Sequence, residues 1–256
     1  MQARPLLPST RLRLTEGTSS LVIKAFRFPL NGWDNHVVII SISDIHGDPE
    51  GIVRLSAELS KADLVLVSGD ITNFGGRKEA AGIIDRLGKH AKRILAVPGN
   101  CDRPEVGKYL GEQGVNLDQQ AVEIGGLWFS GLGGSLPCPG RTLLEHSEDE
   151  FGSALDSGLG EIGKGQPFVL LCHQPPHGTK VDRVMGGLHV GSRRIRQFIE
   201  ESKPLACFCG HIHESPGVDR IGETAVCNPG PLGRGGYVRA VWRGGAISVQ
   251  IESFKN

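Results

Sequence analysis

The sequence lacks several features that would assign it to a specialised class of protein. Its six cysteines form no Cys-x-x-Cys pair, no internal repeat occurs, and no apolar run approaches the ~20 residues of a membrane span. Lysine plus arginine and aspartate plus glutamate number 28 each, so no net charge attracts nucleic acid or an anionic membrane. These absences argue against a disulfide scaffold, a solenoid, a membrane protein and a stable nucleic-acid binder.

Length and cysteine placement narrow the remaining classes. At 256 residues the chain can form one large α/β domain. Most cysteines sit in or beside apolar runs, which suits reduced thiols in a core, and we therefore expect a reducing, cytoplasmic location. Residues 1–34 are mixed in character and contain prolines, so we interpret them as a loosely ordered N-terminal extension and place the folded domain at residues 35–256.

From residue 36 onward, apolar runs alternate with helical patterns. Helix-like stretches at 49–60 and 76–90 separate the first three apolar runs, which is the rhythm of βαβ units around a buried sheet. The second half is richer in strand-like runs, and its one predicted helix, at 191–202, opens with Gly191-Ser192. The apolar runs are 36–42, 64–67, 93–97, 121–124, 127–132, 167–172, 205–209, 223–227, 237–243 and 246–252.

Residues of the kind that bind metal ions follow five of these runs. Taken singly, each has an ordinary explanation as a turn, cap or satisfied core residue. Open α/β sheets bind ligands beyond the carboxyl ends of their strands, so the whole set at one predicted sheet edge indicates a metal site. In chain order the set is Asp44, His46, Asp70, Asn100, His173, His211 and His213.

The chemistry of these residues suits divalent cations. Asp44 and His46 are two residues apart, and we expect an extended backbone to point both to one side, as in the later His-x-His pair. The carboxylate of Asp70 has two oxygens and can bridge two ions. The amide oxygen of Asn100 is a neutral ligand for hard or borderline cations.

The order of these blocks, D-x-H, G-D, G-N-C-D, H and G-H-x-H, resembles the calcineurin-like metallophosphoesterase superfamily, in particular its compact prokaryotic phosphodiesterase-type members. The resemblance implies an α/β fold, a four-layer αββα sandwich of two mixed β-sheets flanked by helices. It also implies two divalent metal ions, manganese first, with iron, zinc or nickel as alternatives. By the same resemblance, Asp44, His46 and His213 hold one ion, Asn100, His173 and His211 hold the other, and Asp70 bridges them.

Position 101 departs from the family pattern. Many members carry His directly after the ligand Asn, where it protonates the leaving oxygen or stabilises phosphoryl charge, and this chain has Cys101 instead. A thiol of normal pKa serves neither purpose well, so that role is missing, reassigned to a neighbour such as Asp102, Arg103 or His177, or left to water on the ions. The predicted catalytic residues are Asp70, Asn100, His173 and His177.

We therefore expect a binuclear-metal-dependent phosphoesterase in which a hydroxide held between the ions attacks phosphorus in line. The expected substrate is a small phosphodiester of the nucleotide or cyclic-nucleotide type, because a leaving group stabilised by metal needs no strong general acid. A phosphomonoesterase is the alternative, and a non-catalytic metal-binding interaction scaffold is the second alternative. The sequence leaves the oligomeric state open.

Overall fold

A computed structural model describes residues 27–28, 36–160 and 162–254. Within these ranges the chain forms strands and α-helices in alternation, with three short 3-10 helices at Lys180–Asp182, Met185–Gly187 and Leu232–Arg234. The strands are β1 (Arg27–Phe28), β2 (His36–Ile42), β3 (Leu64–Ser68), β4 (Ile94–Val97), β5 (Ala121–Ile124), β6 (Leu127–Leu132), β7 (Phe168–Cys172), β8 (Ala206–Phe208), β9 (Gly217–Ile221), β10 (Thr224–Asn228), β11 (Gly236–Arg243) and β12 (Ala246–Ser253). The α-helices are α1 (Glu50–Lys61), α2 (Arg77–Gly88), α3 (Pro104–Glu112), α4 (Glu148–Leu159) and α5 (Arg193–Ser202).

The strands form two mixed sheets. The first has the order β12-β11-β2-β3-β4, in which β2, β3 and β4 are parallel and β11 is antiparallel to both of its neighbours. The second has the order β1-β5-β6-β7-β8-β10-β9, in which β6, β7, β8 and β10 are parallel. In the second sheet, β5 is antiparallel to β6, and β9 is antiparallel to β10. All five strands that precede ligand-type residues are therefore in the parallel parts of the two sheets.

Side chains alternate across each strand and so divide the core into three apolar clusters. On β2, Ile40 packs in the cluster that includes Leu55 of α1, whereas Ile39 packs in the cluster that includes Phe129 of the second sheet. A third cluster joins the far face of the second sheet to Phe198 of α5. Helices thus cover the outer face of each sheet, and the predicted αββα sandwich is confirmed.

The predicted helices correspond to α1, α2 and α5, whereas α3 and α4 are absent from the prediction. Both missed helices contain two glycines, which weaken the helical pattern, although Ser147 and Glu150 form a capping box that marks the start of α4. Of the predicted extension, Arg27–Phe28 pair in parallel with β5, and the rest of residues 1–34 lies outside the described residues. No described helix is long and apolar enough to cross a membrane.

Candidate metal centre

The ligand-type residues lie in loops that follow β2, β3, β4, β7 and β8, and hydrogen bonds join these loops directly. Within the first sheet, the Asp44 amide donates to the Gly69 carbonyl at 3.2 Å. Within the second, the Gly210 amide donates to the His173 carbonyl at 3.1 Å. Between the sheets, the His211 amide donates to the Asp44 carboxylate at 3.2 Å. The carboxyl ends of both sheets therefore meet at one place.

The first group of side chains is Asp44, His46 and His213. Nε2 of His213 lies 3.2 Å from Oδ1 of Asp44 and 3.2 Å from Nε2 of His46. One ligand atom from each residue can be chosen so that all lie within 4.8 Å of one another. Two imidazole nitrogens and a carboxylate oxygen that converge in this way can hold a single divalent cation.

The second group contains Asn100, His173 and His211. Nε2 of His173 lies 2.8 Å from Oδ1 of Asn100, and the rings of His173 and His211 have centroids 5.1 Å apart. Asp70 lies between the two groups, with Oδ1 3.5 Å from Nε2 of His173 and Oδ2 3.8 Å from Nε2 of His46. All seven ligand-type residues predicted from the sequence are therefore in one cluster.

The orientation of His173 suits metal binding. Its Nδ1 is 2.7 Å from the Ser68 carbonyl, which can only accept a hydrogen bond, so Nδ1 carries the proton. Nε2 is then the nitrogen directed at Asn100 and Asp70, on the side where a metal ion would bind. A hydrogen bond from the second ring nitrogen to a carbonyl is the arrangement that fixes metal-binding histidines in many proteins.

The backbone at the cluster is strained. Asp44, His46, Asp70 and His211 have φ angles of 52°, 50°, 47° and 69°, in the left-handed region that non-glycine residues rarely adopt. Each such residue costs on the order of 1–3 kcal/mol, and strain of this kind concentrates at functional sites. The extended geometry predicted for Asp44 and His46 is wrong, because β2 ends at Ile42 and a left-handed turn brings the two side chains together.

Two glycines permit the close approach of the loops. A Cβ at Gly99 would collide with the backbone nitrogen and the carboxylate of Asp70. A Cβ at Gly210 would collide with the hydroxyl of Ser43 and lie 2.7 Å from Oδ2 of Asp44. Any side chain at either position would push a carboxylate out of the cluster.

The electrostatics of the cluster favour an ionised Asp44 and a neutral His211, the states in which each can bind a metal ion. Burial opposes the ionisation of Asp44, but the hydrogen bond from His213 and the charges of His173 and His213 outweigh it and lower its pKa to about 2. Burial and the neighbouring His173 lower the pKa of His211 to about 3, so its ring is neutral near neutral pH. The hydrogen bond to Asp44 raises the pKa of His213.

The sequence profile of the calcineurin-like phosphoesterase family matches residues 37–215, a range that contains all seven residues of the cluster. The chain belongs to this family. The resemblance inferred from the order of the motifs is therefore confirmed. Family membership and the cluster together support a phosphoester hydrolase with residues able to bind metal ions.

Known proteins resemble this chain in sequence or in fold. The chain is similar to the uncharacterised protein MJ1162 of Methanocaldococcus jannaschii, with 36% identity over 200 residues that cover 77% of this chain and 89% of that protein. Its structure is similar to TT1561 of Thermus thermophilus, with a TM-score of 0.64, 20% identity, and coverage of 86% of this chain and 99% of that one. It is also similar to purple acid phosphatase PPD1 from yellow lupin, with a TM-score of 0.58, 10% identity, and coverage of 88% and 52%. At these identities the two structural likenesses support the fold alone.

Cys101 replaces the family histidine with a side chain that carries no charge. Its thiol is buried, and its amide donates to Oδ1 of Asp70 at 2.8 Å. Burial and the adjacent carboxylate of Asp70 raise the pKa of the thiol well above its usual range. Cys101 therefore remains a neutral thiol and is a weak proton donor.

Two suggested replacements for that histidine have structural roles. Asp102 is fully buried and accepts hydrogen bonds from the amides of Ile71, Thr72 and Gly99 and from the Thr72 hydroxyl, at 2.7 to 3.0 Å. Its oxygens are therefore committed to holding the loop after Asp70. The guanidinium of Arg103 donates to the Phe74 carbonyl at 3.0 Å on the exterior.

His177 lies in the loop after β7, four residues beyond His173. Its amide donates to the Ser192 carbonyl at 2.9 Å, and its ring faces His189 with centroids 5.6 Å apart. It belongs to none of the groups that can hold a metal among the described residues. His189 itself was missed from the sequence, although the spacing Asp182-x6-His189 within a glycine-rich loop was a readable signal.

Proposed function

We propose that the protein is a binuclear-metal-dependent phosphodiesterase that acts on a small nucleotide or cyclic nucleotide. The position of Asp70 carries this proposal. Its two carboxylate oxygens face different groups of ligands, one 3.8 Å from Nε2 of His46 and the other 3.5 Å from Nε2 of His173. A single carboxylate within reach of both groups is the arrangement that a bridged pair of cations requires.

The chemistry of the donor set supports divalent ions such as manganese. In the proposal, Asp44, His46 and His213 hold one ion and Asn100, His173 and His211 hold the other. Two divalent ions at these positions would polarise the phosphoryl group and activate water as the nucleophile. The chain itself contributes ligands whose orientation is fixed before substrate arrives, because loop-to-loop hydrogen bonds and strained backbone hold them in place.

Charge at position 101 favours a diester over a monoester. Near neutral pH a phosphomonoester carries up to two negative charges, whereas a diester carries one. The neutral thiol of Cys101 cannot offset the second charge, and the buried carboxyl of Asp102 lies beside it in the chain. Binding of the dianion is therefore disfavoured relative to the monoanion.

An exposed aromatic ring supports a nucleotide as the diester. Phe74 is 47% exposed, lies four residues after Asp70, and has a left-handed backbone with φ of 57°. Leu143, also exposed, donates its amide to the Asn100 carbonyl at 2.9 Å. These two side chains give the loops connected to the cluster an exposed apolar surface. A nucleotide base can stack on the ring of Phe74 there.

The first experiment compares a diester with a monoester. Purified protein is loaded with manganese and assayed with bis-p-nitrophenyl phosphate and with p-nitrophenyl phosphate. The same pair is then measured for Asp70→Asn and for the matched control Asp85→Asn, which changes an exposed carboxylate on α2. We expect kcat/KM to favour the diester, Asp70→Asn to lose at least ~100-fold, and Asp85→Asn to be unchanged.

Each alternative function has its own outcome. A preference for the monoester would replace the phosphodiesterase with a phosphomonoesterase. Full activity of Asp70→Asn would contradict the role of the bridging carboxylate. No hydrolysis of either ester, together with less than one bound manganese ion per chain, would favour the interaction scaffold.

Phe74 tests the nucleotide part of the proposal. We expect Phe74→Ala to raise KM for a 2′,3′-cyclic nucleotide by about tenfold, because a base–aromatic stack contributes roughly 1–3 kcal/mol. Phe74→Trp, which keeps a flat ring, should leave KM near the wild-type value. An unchanged KM in Phe74→Ala would remove the support for a stacked base.

A further inference from the structure

An aspartate–histidine pair lies outside the metal cluster. Nδ1 of His189 is 2.6 Å from Oδ1 of Asp182, and the His189 side chain is 27% exposed whereas that of Asp182 is fully buried. Asp182 also accepts hydrogen bonds from the amides of Gly178, Thr179 and Gly191. The carboxylate is therefore held by the backbone and in turn fixes the imidazole, with Nδ1 protonated toward it and Nε2 free to exchange a proton.

One side of this pair is tied to the loop that carries His173. The next residue, Gln174, is buried, and its side-chain nitrogen donates to the Val190 carbonyl at 3.0 Å. Val190 directly follows His189. This hydrogen bond links the backbone next to His189 to Gln174, the residue that follows the predicted metal ligand His173.

The other side of the pair is tied to the loop that carries His213. Arg183 forms an isolated antiparallel bridge with His189, so the two residues lie side by side. The Ser215 hydroxyl donates to the Arg183 carbonyl, and Ser215 is two residues after His213. The segment that carries His189 is therefore linked on one side to the His173 loop and on the other, through Arg183, to the His213 loop.

We propose that His189, oriented by Asp182, is a catalytic residue that donates a proton to the leaving oxygen of the phosphodiester. The inference rests on the proposed function and assigns to His189 the role that Cys101 cannot perform. As the oxygen of water bonds to phosphorus, the bond from phosphorus to the leaving oxygen breaks, and the proton on Nε2 moves to that oxygen. The proton released by the attacking water passes to solvent, from which the imidazole regains its own.

The test uses two diesters that differ in how much their leaving groups need a proton. Methyl p-nitrophenyl phosphate releases a stable phenolate, whereas methyl phenyl phosphate releases a more basic one. The variant is His189→Asn, whose amide still offers an N–H to Asp182 but has no proton at the position of Nε2. The matched control is His90→Asn, just beyond the end of α2.

We expect His189→Asn in the manganese-loaded protein to lose about 100-fold in kcat/KM on methyl phenyl phosphate and less than about tenfold on methyl p-nitrophenyl phosphate. His90→Asn should match the wild type on both. Equal losses on the two esters, or no loss on either, would overturn the inference while leaving the proposed function intact. A wild type inactive on both esters would overturn the proposed function and this inference with it. If thermal unfolding shows that His189→Asn does not fold, His189→Gln is judged by the same outcomes.

Discussion

Gly210 packs directly against Ser43 and Asp44 in the loop after β2, and no side chain fits between them. In Gly210→Ala the new Cβ would overlap the Ser43 hydroxyl and lie 2.8 Å from the Ser43 Cβ and 2.7 Å from Oδ2 of Asp44. Ser43 and Asp44 are 0% and 1% exposed, so neither has free volume to move into. We expect the free energy of unfolding to fall by about 1–3 kcal/mol, the usual cost of overpacking.

The clash with Ser43 can be separated from other effects by a double-mutant cycle. Ser43→Ala removes the hydroxyl and its 3.1 Å hydrogen bond to the Ser68 carbonyl, at a cost of about 1 kcal/mol. The double variant should then lose less than the sum of the two single losses, by about 1 kcal/mol, because the worst overlap is gone. Gly82→Ala on α2 is the control, since no atom lies within 4 Å of its new Cβ.

Urea unfolding of the metal-free proteins measures these free energies, and manganese titration measures the affinity of the cluster for metal. Displacement of Asp44 should weaken manganese binding by at least about tenfold in Gly210→Ala, because one ligand leaves the cluster. Strictly additive losses in the cycle, or wild-type stability and manganese affinity in Gly210→Ala, would refute the packing assigned to this edge.

Three further predictions concern neighbouring groups. The pKa of His211 falls from 6.5 in the unfolded chain to about 3 in the folded protein, so the unfolded chain binds more protons between these values. The free energy of unfolding of the metal-free protein should therefore fall by about 1–2 kcal/mol between about pH 7 and pH 5. Urea unfolding of His211→Gln should show a flatter pH dependence, although His213, whose pKa is raised, acts in the opposite direction in both proteins. Asp102→Ala should lower the free energy of unfolding by roughly 3–5 kcal/mol, since four donors lose their acceptor, and a loss below about 1 kcal/mol in urea unfolding would contradict that role. Cys101→His should raise the ratio of monoesterase to diesterase kcat/KM by about tenfold. An unchanged ratio would show that residue 101 does not determine the substrate preference.

The sequence predicted the layers of the fold because two kinds of periodicity were visible. Alternating apolar residues such as Ile39 and Ile40 serve two different clusters, and runs of this kind marked β2 and most other strands. The helices α3 and α4 escaped prediction because glycine interrupts their apolar pattern, and tertiary packing rather than propensity stabilises them. The strand β9 escaped because the segment around Asp219 and Arg220 is too polar to be distinguished from a loop.

The residues of the candidate site were predictable because strand ends carry ligands in parallel sheets, but their local geometry was not. Pattern alone gave no sign that Asp44 and His46 adopt left-handed backbone, since that conformation is imposed by hydrogen bonds such as that from the His46 amide to the Asp70 carbonyl at 2.9 Å. The Asp182–His189 pair was also missed, because its two members, seven residues apart in one loop, meet only where that loop folds back on itself.

Anomalous diffraction at the manganese edge, from crystals of manganese-loaded protein, tests the central claim most directly. We predict two peaks, one surrounded by Asp44, His46 and His213 and the other by Asn100, His173 and His211, with the carboxylate of Asp70 contacting both. A single peak, or two peaks that do not share Asp70, would contradict the account.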